Sequence, residues 1–290
     1  MDVRDFESHR PRLTAVAYGM LGSYADAEDV VQDAFLRWEA TTHQVDELGA
    51  FLTTVVTRLA IDRLRSAQRR RETYVGPWLP EPIVSSGPDD LADVAVEAEQ
   101  ISLALMVAME RLNPVERAAF LLREVFDFDY PAIADIIDKS PANTRQIVTR
   151  ARGRVGDPHR SHGHDQEANS QLVAVFGEAL AAGELRPLVD LLAADVIAWS
   201  DGGADHRAAR RPIVGADRVA RFLLGLAHKR DAYQASVRLA WANGSPAFVV
   251  LTPEGPFSVM AFDILDGVII GIRTMVNPEK LTTVRAIDWS

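Results

Sequence analysis

The feature that most constrains this chain is the outline of a helix-turn-helix near its middle. Residues 130–154 are YPAIADIIDKSPANTRQIVTRARGR, in which a short helix is predicted to end near Asp138 and a polar turn at 139–141 leads into a second helix. The second helix carries four arginines and no acidic residue. In proteins with this motif the second helix enters the major groove of DNA, while cations hold backbone phosphates. The segment therefore predicts DNA binding.

The charge distribution has to be reconciled with this prediction. The net charge is −10, yet residues 57–71 contain six arginines and one acid, and residues 141–154 contain four arginines and no acid. Residues 73–138, between them, contain thirteen acids and three arginines. Because affinity for DNA comes largely from neutralising phosphates, we expect weak binding to bare DNA and a partner that brings the chain to its site.

Composition excludes several other classes of protein. The 290 residues include no cysteine, which excludes a disulfide framework, the usual zinc fingers and thiol catalysis. No basic leader followed by an apolar run occurs at the N-terminus, and no stretch of about 18 apolar residues occurs anywhere. The expectation is a cytoplasmic protein without a membrane partner.

The pattern along the chain predicts three folded regions and two linkers. Helical periodicity covers residues 1–72, and residues 73–93 contain four prolines and two glycines, which indicates a linker without packed structure. Helices resume over 94–155, and the polar residues 156–169 form the second linker. Residues 170–290 begin with two helices and continue as strands separated by turn signals. We therefore expect a multidomain chain of two all-α domains followed by an α+β cone with an interior cavity.

The first 155 residues resemble the extracytoplasmic-function (ECF) group of bacterial sigma factors. The resemblance is carried by AYGMLGSYADAEDVVQDAFLRW, FLTTVVTRLAIDRLRSAQRRR and LNPVERAAFLLREVFDFDYPAIADIIDKSPANTRQIVTRARGR, whose order and spacing match regions 2 and 4 of that family. It implies that residues 1–72 are the region 2 helical bundle and 94–155 the region 4 helix-turn-helix domain. It also implies a factor that binds core RNA polymerase, recognises −10 and −35 promoter elements and initiates transcription.

The resemblance assigns polymerase binding to the helix containing AEDVVQDAFLRW. In the family this helix docks on the clamp helices of the largest polymerase subunit, and region 4 contacts the flap tip, in this chain along residues 112–126. Asp29 and Asp33 are four residues apart, so they share a helix face. The candidate polymerase-binding residues are Glu28, Asp29, Gln32, Asp33, Arg37 and Trp38.

Promoter recognition is divided between two helices by the same resemblance. The loop 41–47 and the long helix after it would recognise the −10 element, with bases in pockets and phosphates held by cations. The candidate −10 residues are Thr54, Thr57, Arg58, Asp62, Arg63, Arg65, Arg69 and Arg70, with Arg71 as a further phosphate-binding cation. The second helix of the helix-turn-helix would recognise the −35 element, since Arg and Gln pair bidentately with guanine and adenine. The candidate −35 residues are Asn143, Thr144, Arg145, Gln146, Arg150 and Arg152.

Residues 166–290 resemble the SnoaL-like branch of the nuclear-transport-factor-2-like (NTF2-like) fold, which one subgroup of these sigma factors carries as a C-terminal extension. Two stretches support this subgroup, WSDGGADHRAARRPIVG at 199–215 and NPEKL at 277–281. The resemblance implies a built-in regulator that contacts regions 2 and 4, in the role that a separate anti-sigma factor usually has. The candidate regulatory residues are Asp201, Gly202, Gly203, Asn277, Pro278, Glu279, Lys280 and Leu281.

Two other functions remain open for the C-terminal domain, because such folds enclose a pocket. A cyclase or isomerase would need a general acid or base in that pocket, and a ligand sensor would need a small apolar molecule bound there. The titratable candidates are Asp195, Asp201, His206 and Asp263, and the candidate lining residues are Trp199, Trp241, Phe248, Met260 and Phe262. Turns and strand ends are ordinary positions for these acids, so we assign no catalytic residue and no cofactor.

His159, His162 and His164 form an H-x-x-H-x-H run within the second linker. A metal site needs ligands held in fixed geometry, which a flexible linker does not provide. We therefore predict no metal site.

Overall fold

The computed structural model describes residues 3–41, 46–87, 101–156, 166–204, 208–229, 231–285, 287 and 289. The chain divides into two compact units. Unit 1 consists of Met1–Thr73 and Leu91–Pro158, and unit 2 consists of Tyr74–Asp90 and His159–Ser290. The two helical segments expected as separate domains therefore lie in one unit, and most of the first predicted linker belongs to the other.

The described part of unit 1 is helical. Its helices are α1 (Val3–Leu21), α2 (Tyr24–Glu39), α3 (Leu48–Arg71), α4 (Leu103–Met109), α5 (Pro114–Glu124), α6 (Tyr130–Ile137) and α7 (Pro141–Val155). Side chains cap several of their first turns. Ser23 accepts a hydrogen bond from the Asp26 N–H of α2, and Asn113 forms a capping box with Glu116 of α5. These caps satisfy N–H groups that have no partner inside the helix, which determines where the helix begins.

The predicted helix-turn-helix is confirmed by α6 and α7. Asp129 caps α6, which ends where Asp138 takes a left-handed conformation with φ 55°. Ser140 then caps α7, and Pro141 occupies its first turn. A short polar side chain tolerates the left-handed region because it can hydrogen-bond locally. The turn is therefore built from the residues that the sequence indicated.

The N-terminal bundle packs directly on the helix-turn-helix segment within unit 1. Helices α1 and α3 both contact α5, and α3 also contacts α6. The two segments approach closely at Gly19 of α1, where a Cβ would lie 2.8 Å from side-chain atoms of both Ile101 and Leu121. Both of those side chains are fully buried. The all-α prediction is confirmed, and the two all-α segments share buried packing.

Unit 2 is an α+β structure, as the sequence predicts. Its elements are β1 (Val84–Ser85), α8 (Gln166–Ala182), α9 (Leu185–Asp190), β2 (Leu192–Asp201), β3 (Ile213–Val214), α10 (Ala216–Ala227), β4 (Ser236–Ala242), β5 (Ser245–Thr252), β6 (Gly255–Leu265), β7 (Val268–Met275) and α11 (Thr282–Arg285), with 3₁₀ turns at Asp231–Tyr233 and Pro278–Lys280. Because α8 begins at Gln166, the expected linker 156–169 is helical over its last residues.

The described strands form one sheet in the order β1-β4-β5-β6-β7-β2-β3. Strands β4 to β7 form an antiparallel meander in the region where the sequence predicts strands separated by turns. Strand β2 pairs in parallel with β7. These strands are far apart in the sequence, so no local pattern predicts that they pair. Asn243-Gly244 and Asp266-Gly267 turn two of the hairpins with positive φ at every position.

Three phenylalanine rings pack together in the core of unit 2. Phe262 packs edge-on against Phe176 and Phe248, with ring centres 5.4 and 5.3 Å away. A Cβ on Gly177 of α8 would lie 2.8 Å from the Phe248 ring. Phe248, Met260 and Phe262, expected as pocket-lining candidates, are members of this packed core.

The expectation that residues 73–93 lack packed structure is wrong for residues 74–85, which we call the linker segment. Val84 and Ser85 pair with Ala242 and Trp241 as strand β1, and residues 79–85 are all buried. Prolines and glycines argue against regular structure, but they permit an extended segment that is held by groups of another element. Residues 88–93 lie outside the described part of the chain.

No helix of the described residues combines the length and apolar character that crossing a bilayer requires.

Candidate functional site

The start of α7 presents three of the four residues predicted to recognise −35 bases. Arg145 and Gln146 are exposed, and Asn143 is half-buried. Thr144 is fully buried, and its hydroxyl donates to the Ser140 carbonyl at 3.0 Å. The prediction that Thr144 faces DNA is therefore wrong in this structure, because the residue packs inward beneath the cap of α7.

The arginines farther along α7 differ in how strongly acidic side chains engage them. Arg150 is exposed. Arg152 pairs with Glu124 of α5, and Arg154 pairs with Glu116, each with a nitrogen–oxygen distance of 2.7 Å. The hydrogen bonds that Arg152 donates to Glu124 raise the pKa of Arg152. A DNA phosphate would have to replace Glu124 before Arg152 could hold it.

Helix α3 presents only part of the predicted −10 set to solvent. Thr57 is fully buried, and its hydroxyl has no hydrogen-bond partner among the described residues. The prediction that Thr57 faces DNA is therefore wrong in this structure. Thr54 is half-buried and donates to the Ala50 carbonyl at 2.9 Å, and Arg69 is exposed. The side chain of Arg70 lies outside the described set.

Arg58 of α3 binds the helix-turn-helix segment. Its Nε donates to the Ile136 carbonyl and its Nη2 to the Asp135 carbonyl, both at 2.9 Å. These carbonyls lie at the C-terminal end of α6, where the helix dipole favours a cation. Arg58, which the sequence predicts to bind −10 DNA, therefore binds the helix-turn-helix segment in this structure.

Two further α3 arginines pair with acids of the N-terminal bundle. The Arg63 guanidinium lies 2.7 Å from Asp26 and 2.6 Å from Asp29. Burial alone would lower the pKa of Arg63, but hydrogen bonds to Asp29 and Asp26 outweigh that effect and raise it. Arg65 pairs with Asp62 at 2.8 Å in a more exposed position.

Arg71, at the end of α3, is largely enclosed in a cluster with Glu110 and Arg117, which we call the Glu110 cluster. Arg71 Nη1 lies 2.8 and 2.7 Å from the two Glu110 oxygens, and its Nη2 donates to the Leu21 carbonyl at 2.6 Å. The fully buried Arg117 lies 2.5 Å from the same carboxylate, and its Nε donates to the Gly19 carbonyl at 3.1 Å. Burial lowers the pKa of Arg71. Burial alone would raise the pKa of Glu110, but the charges of Arg117 and Arg71 lower it overall.

The predicted polymerase-binding face of α2 is exposed except at Trp38. Its exposed members are Glu28, Asp29, Gln32, Asp33 and Arg37. Trp38 is 4% exposed and stacks on Phe6 with ring centres 5.8 Å apart. The prediction that Trp38 contacts a partner is therefore wrong in this structure, because its ring completes the core of the bundle.

Sequence analysis missed Leu36 on the same helix. Leu36 is 51% exposed, one turn beyond Gln32 and Asp33. A large apolar side chain within a polar face is a candidate centre for a protein contact. Helical periodicity was the available signal, since Asp29, Gln32, Asp33 and Leu36 follow the i, i+3, i+4, i+7 spacing of one face.

Three of the predicted regulatory residues, Gly203, Asn277 and Lys280, contact Asp201, which is fully buried at the end of β2. Its Oδ2 accepts a hydrogen bond from the Leu79 N–H at 2.8 Å and lies 2.7 Å from Lys280 Nζ. Its Oδ1 accepts from the Tyr74 hydroxyl at 2.5 Å and from the Gly203 N–H at 3.1 Å. The structure thus brings both C-terminal motifs together, and within unit 2 they hold the linker segment.

Lys280 is enclosed by aromatic rings of the linker segment. Its Nζ lies 5.1 Å from the centre of the Tyr74 ring and 4.2 Å from that of Trp78, and it donates to the Leu79 carbonyl at 2.6 Å. An ammonium over aromatic faces is stabilised by their quadrupoles. Burial and the hydrogen bond to Asp201 raise the pKa of Tyr74, so its hydroxyl stays protonated and donates.

Asn277 and Gly203 connect the two motifs. The Asn277 N–H donates to the Asp201 carbonyl at 3.0 Å, and its Nδ2 donates to the Tyr74 hydroxyl at 3.0 Å. Gly203 has φ 64°, and a Cβ there would lie 2.9 Å from the Asn277 side chain, so the position requires glycine. Of the other predicted regulatory residues, Gly202 and Leu281 are buried, and Pro278 and Glu279 belong to the 3₁₀ turn.

We call Tyr74, Leu79, Asp201, Asn277 and Lys280 the Asp201 cluster.

Two further contacts to the linker segment were missed by sequence analysis. Asn243 accepts a hydrogen bond from the Ile83 N–H at 3.0 Å and donates its own N–H to the Ile83 carbonyl at 2.9 Å. The Thr283 hydroxyl donates to the Pro82 carbonyl at 2.7 Å. The Asn243-Gly244 pair predicts a hairpin turn. Nothing in the sequence predicts that Asn243 also hydrogen-bonds to the backbone of Ile83.

The titratable residues considered for catalysis do not converge in the described structure. Asp201 is engaged by the linker segment, and Asp195 is exposed. Asp263 pairs with Arg273, whose guanidinium lies 4.9 Å from the Trp199 ring centre. His206 lies outside the described residues, as do His159, His162 and His164. Within the part of the chain that is described, no group of three or more His, Asp or Glu side chains could hold a metal ion.

Comparisons with known proteins place these features in one family. Residues 6–70 match the family model "Sigma-70 region 2", and residues 102–155 match "Sigma-70, region 4". The chain is 37% identical over 297 residues to the ECF RNA polymerase sigma factor SigJ of Mycobacterium tuberculosis, which covers 97% of this chain and 94% of that protein. It is 31% identical over 287 residues to the probable ECF sigma factor SigI of the same species, with 97% and 95% coverage. The crystal structure of M. tuberculosis SigJ superposes with a TM-score of 0.79 and 35% identity, covering 97% of this chain and 99% of that one.

Proposed function

Because this chain belongs to the extracytoplasmic-function group of RNA polymerase sigma factors, we propose that its C-terminal unit regulates initiation by holding the segment between regions 2 and 4. A sigma factor binds core polymerase, recognises −10 and −35 promoter elements and initiates transcription. The observation that carries the proposal is the buried Asp201 carboxylate, which accepts hydrogen bonds from Tyr74 and Leu79 of the linker segment.

Promoter geometry supports a regulatory role for this connection. Elements centred at −10 and −35 are separated by about 25 base pairs, or roughly 85 Å of B-DNA at 3.4 Å per base pair. Helix α3 is about 36 Å long at 1.5 Å per residue, and it contacts α5 and α6 directly. Regions 2 and 4 therefore have to separate before both can bind one promoter. A linker segment released from unit 2 can follow that separation, whereas a held one resists it.

The contacts with promoter and polymerase belong to the same proposal. Exposed Arg145 and Gln146, with Asn143, recognise −35 bases, while Arg150 and Arg152 hold phosphates. On α3 the proposed −10 residues are Thr54, Arg58, Asp62, Arg63, Arg65, Arg69 and Arg70. On α2 the proposed polymerase contacts are Glu28, Asp29, Gln32, Asp33, Leu36 and Arg37. The clamp helices and flap tip are the proposed docking sites on the polymerase, and the cytoplasm is the proposed compartment.

The enzyme and ligand-sensor alternatives have less support. Phe176, Phe248 and Phe262 pack together at the centre of the sheet domain, where a substrate or ligand pocket would be expected. Asp201, the most enclosed of the titratable candidates that the structure describes, is engaged by the linker segment. We propose a non-catalytic regulatory domain.

In vitro transcription with purified core polymerase tests the proposal, on promoters selected from random sequence. We expect Asp201→Asn and Lys280→Met to raise initiation severalfold over the unaltered chain, because each disrupts the Asp201 cluster. Asp217→Asn is the matched control, since it removes a carboxylate that pairs with Arg221 on the exposed face of α10. A chain ending at Gly163, which lacks the whole C-terminal region, should also initiate more often.

Equal initiation by the unaltered chain, Asp201→Asn and Lys280→Met would contradict regulation through the linker segment. Silence from every form, on every selected promoter, would contradict the proposed promoter contacts.

A further inference from the structure

We infer that the Glu110 cluster is an autoinhibitory latch, in which Glu110 takes the place of a promoter phosphate on Arg71 and keeps regions 2 and 4 closed. The inference concerns contacts within unit 1 and is independent of the proposed action of unit 2.

The cluster joins the two promoter-binding regions. Arg71 ends α3 of region 2, whereas Glu110 and Arg117 flank the start of α5 in region 4. Arg117 also donates to the Gly19 carbonyl of α1 at 3.1 Å. Close by, Gln68 of α3 donates its Nε2 to a backbone carbonyl of region 4, that of Leu112, at 3.1 Å. Each region therefore donates side-chain hydrogen bonds to backbone carbonyls of the other region.

One carboxylate balances two guanidinium groups at this boundary. Arg117 is fully buried, and its Nη2 has no hydrogen-bond partner among the residues that the structure describes. The Arg71 and Glu110 side chains are only 13% and 24% exposed. Buried like charges repel strongly when the opposite charge between them is removed. The closed packing of the two regions therefore depends on the charge of Glu110.

The latch also withholds a DNA-binding cation. Arg71 completes the arginine run of residues 69–71, whose cations the family resemblance assigns to phosphates near the −10 element. A guanidinium binds a carboxylate and a phosphate through the same bidentate hydrogen bonds. Glu110 occupies Arg71 with both carboxylate oxygens, at 2.8 and 2.7 Å. Opening of unit 1 exposes Arg71, and DNA then competes with Glu110 for it.

Energy transfer between two dyes on the full chain measures this opening. The chain contains no cysteine, so Glu39→Cys and Lys139→Cys place one dye on each region at exposed positions. We expect Glu110→Gln to raise the ratio of open to closed molecules by about tenfold or more, because it leaves two arginines facing a neutral partner. Glu124→Gln is the matched control, since Glu124 pairs with Arg152 inside region 4 and should leave the ratio unchanged.

Two more variants keep the test decisive if Glu110→Gln does not fold. Glu110→Asp keeps the charge but shortens its reach to both arginines, so it should open the unit to a smaller extent. Gly19→Ala opens the same boundary without changing a charge, because its Cβ would lie 2.8 Å from side-chain atoms of Ile101 and Leu121. Gly19→Ala therefore gives the reference value of the energy transfer for an opened unit 1.

The inference is overturned if folded Glu110→Gln, or folded Glu110→Asp where the former is lost, keeps the energy transfer of the unaltered chain while Gly19→Ala lowers it. Equal opening by Glu124→Gln would also overturn it. A failure of the proposed unit 2 regulation would be distinct, since it appears as unchanged initiation by Asp201→Asn.

Discussion

Lys280 and Asp201 form a buried ion pair in which Nζ and Oδ2 lie 2.7 Å apart. The Asp201 side chain is 0% exposed and that of Lys280 is 12% exposed, so water screens the pair weakly. Each residue belongs to a separate C-terminal motif, and each also contacts Leu79 of the linker segment. The pair therefore couples the stability of the C-terminal fold to the position of the segment between regions 2 and 4.

Replacing Lys280 with Met should destabilise unit 2. Asp201 would keep its charge but lose its buried partner, a change that costs about 3–5 kcal/mol in buried pairs. Chemical unfolding with a probe in unit 2 measures the loss, and limited proteolysis should cut the linker segment faster. Arg221→Met is the control, because the Arg221–Asp217 pair is exposed and its removal should leave stability unchanged. Similar stability in Lys280→Met and the unaltered chain would show that the pair is dispensable.

The hydroxyl of Tyr74 should make stability depend on alkaline pH. Burial and the hydrogen bond to Asp201 raise the pKa of Tyr74 above the ordinary value. A pKa raised by folding contributes stability that is fully present below about pH 10 and is lost as pH rises towards the folded value. The difference in free energy of unfolding between the unaltered chain and Tyr74→Phe, about 1–3 kcal/mol at pH 8, should therefore shrink above pH 10.

Tyr233→Phe provides the comparison for this experiment, because Tyr233 is 58% exposed. An unaltered chain and Tyr74→Phe that differ by the same amount at pH 8 and pH 11 would argue against a protonated Tyr74 bound to Asp201.

Replacing Leu36 with Ala should weaken binding to core polymerase by about tenfold while leaving the fold intact. We expect Leu36 to be one of the few central interface residues whose truncation costs more than about 1 kcal/mol. Val3→Ala removes an apolar side chain of comparable exposure, 54% against 51%, from a different helix of unit 1. Affinity measured by fluorescence anisotropy should distinguish the two. A loss shared equally by both variants would remove Leu36 from the proposed interface.

Two arginines of α7 should differ in their effect on promoter sequence. Arg145→Ala should relax the preference at one −35 base pair at a cost of about 1–3 kcal/mol, because a base-edge contact is specific. Arg150→Ala should weaken all promoters alike and reduce the dependence on salt, because a phosphate contact carries no sequence information. Binding of the polymerase complex to a −35 library at several salt concentrations measures both effects. Identical profiles for the two variants would exclude this division of roles.

Thr57→Val should preserve stability or raise it by up to about 1 kcal/mol. The buried Thr57 hydroxyl has no hydrogen-bond partner in the described residues, so valine of similar shape removes an unsatisfied group. Thermal unfolding measures the change, and promoter output should remain normal if Thr57 stays in the core. Reduced output from a folded Thr57→Val would restore this residue to the −10 site. Thr54→Val tests the neighbouring half-buried position in the same assay.

Local sequence signals predicted the helices and strands well where a cap, turn or periodic face determines them. Ser140 and Pro141 mark the start of α7, and Asn243-Gly244 marks a hairpin, because their backbone preferences act within a few residues. The basic character of α7 could likewise be predicted, because residues 141–154 contain four arginines and no acid. Trp38, Thr57 and Thr144 were assigned to the wrong surface, because helical periodicity does not say which face the rest of the fold will cover.

The sequence by itself determined most of the element types, the order of the α and β regions, the family motifs and the positions of the charged residues. Only the tertiary structure decided that Tyr74 and Leu79 meet Asp201, that β2 lies parallel to β7, and that Arg71 shares Glu110 with Arg117. The physical reason is that caps and turns depend on neighbouring residues, whereas a buried hydrogen bond between distant residues depends on packing that the whole chain must complete.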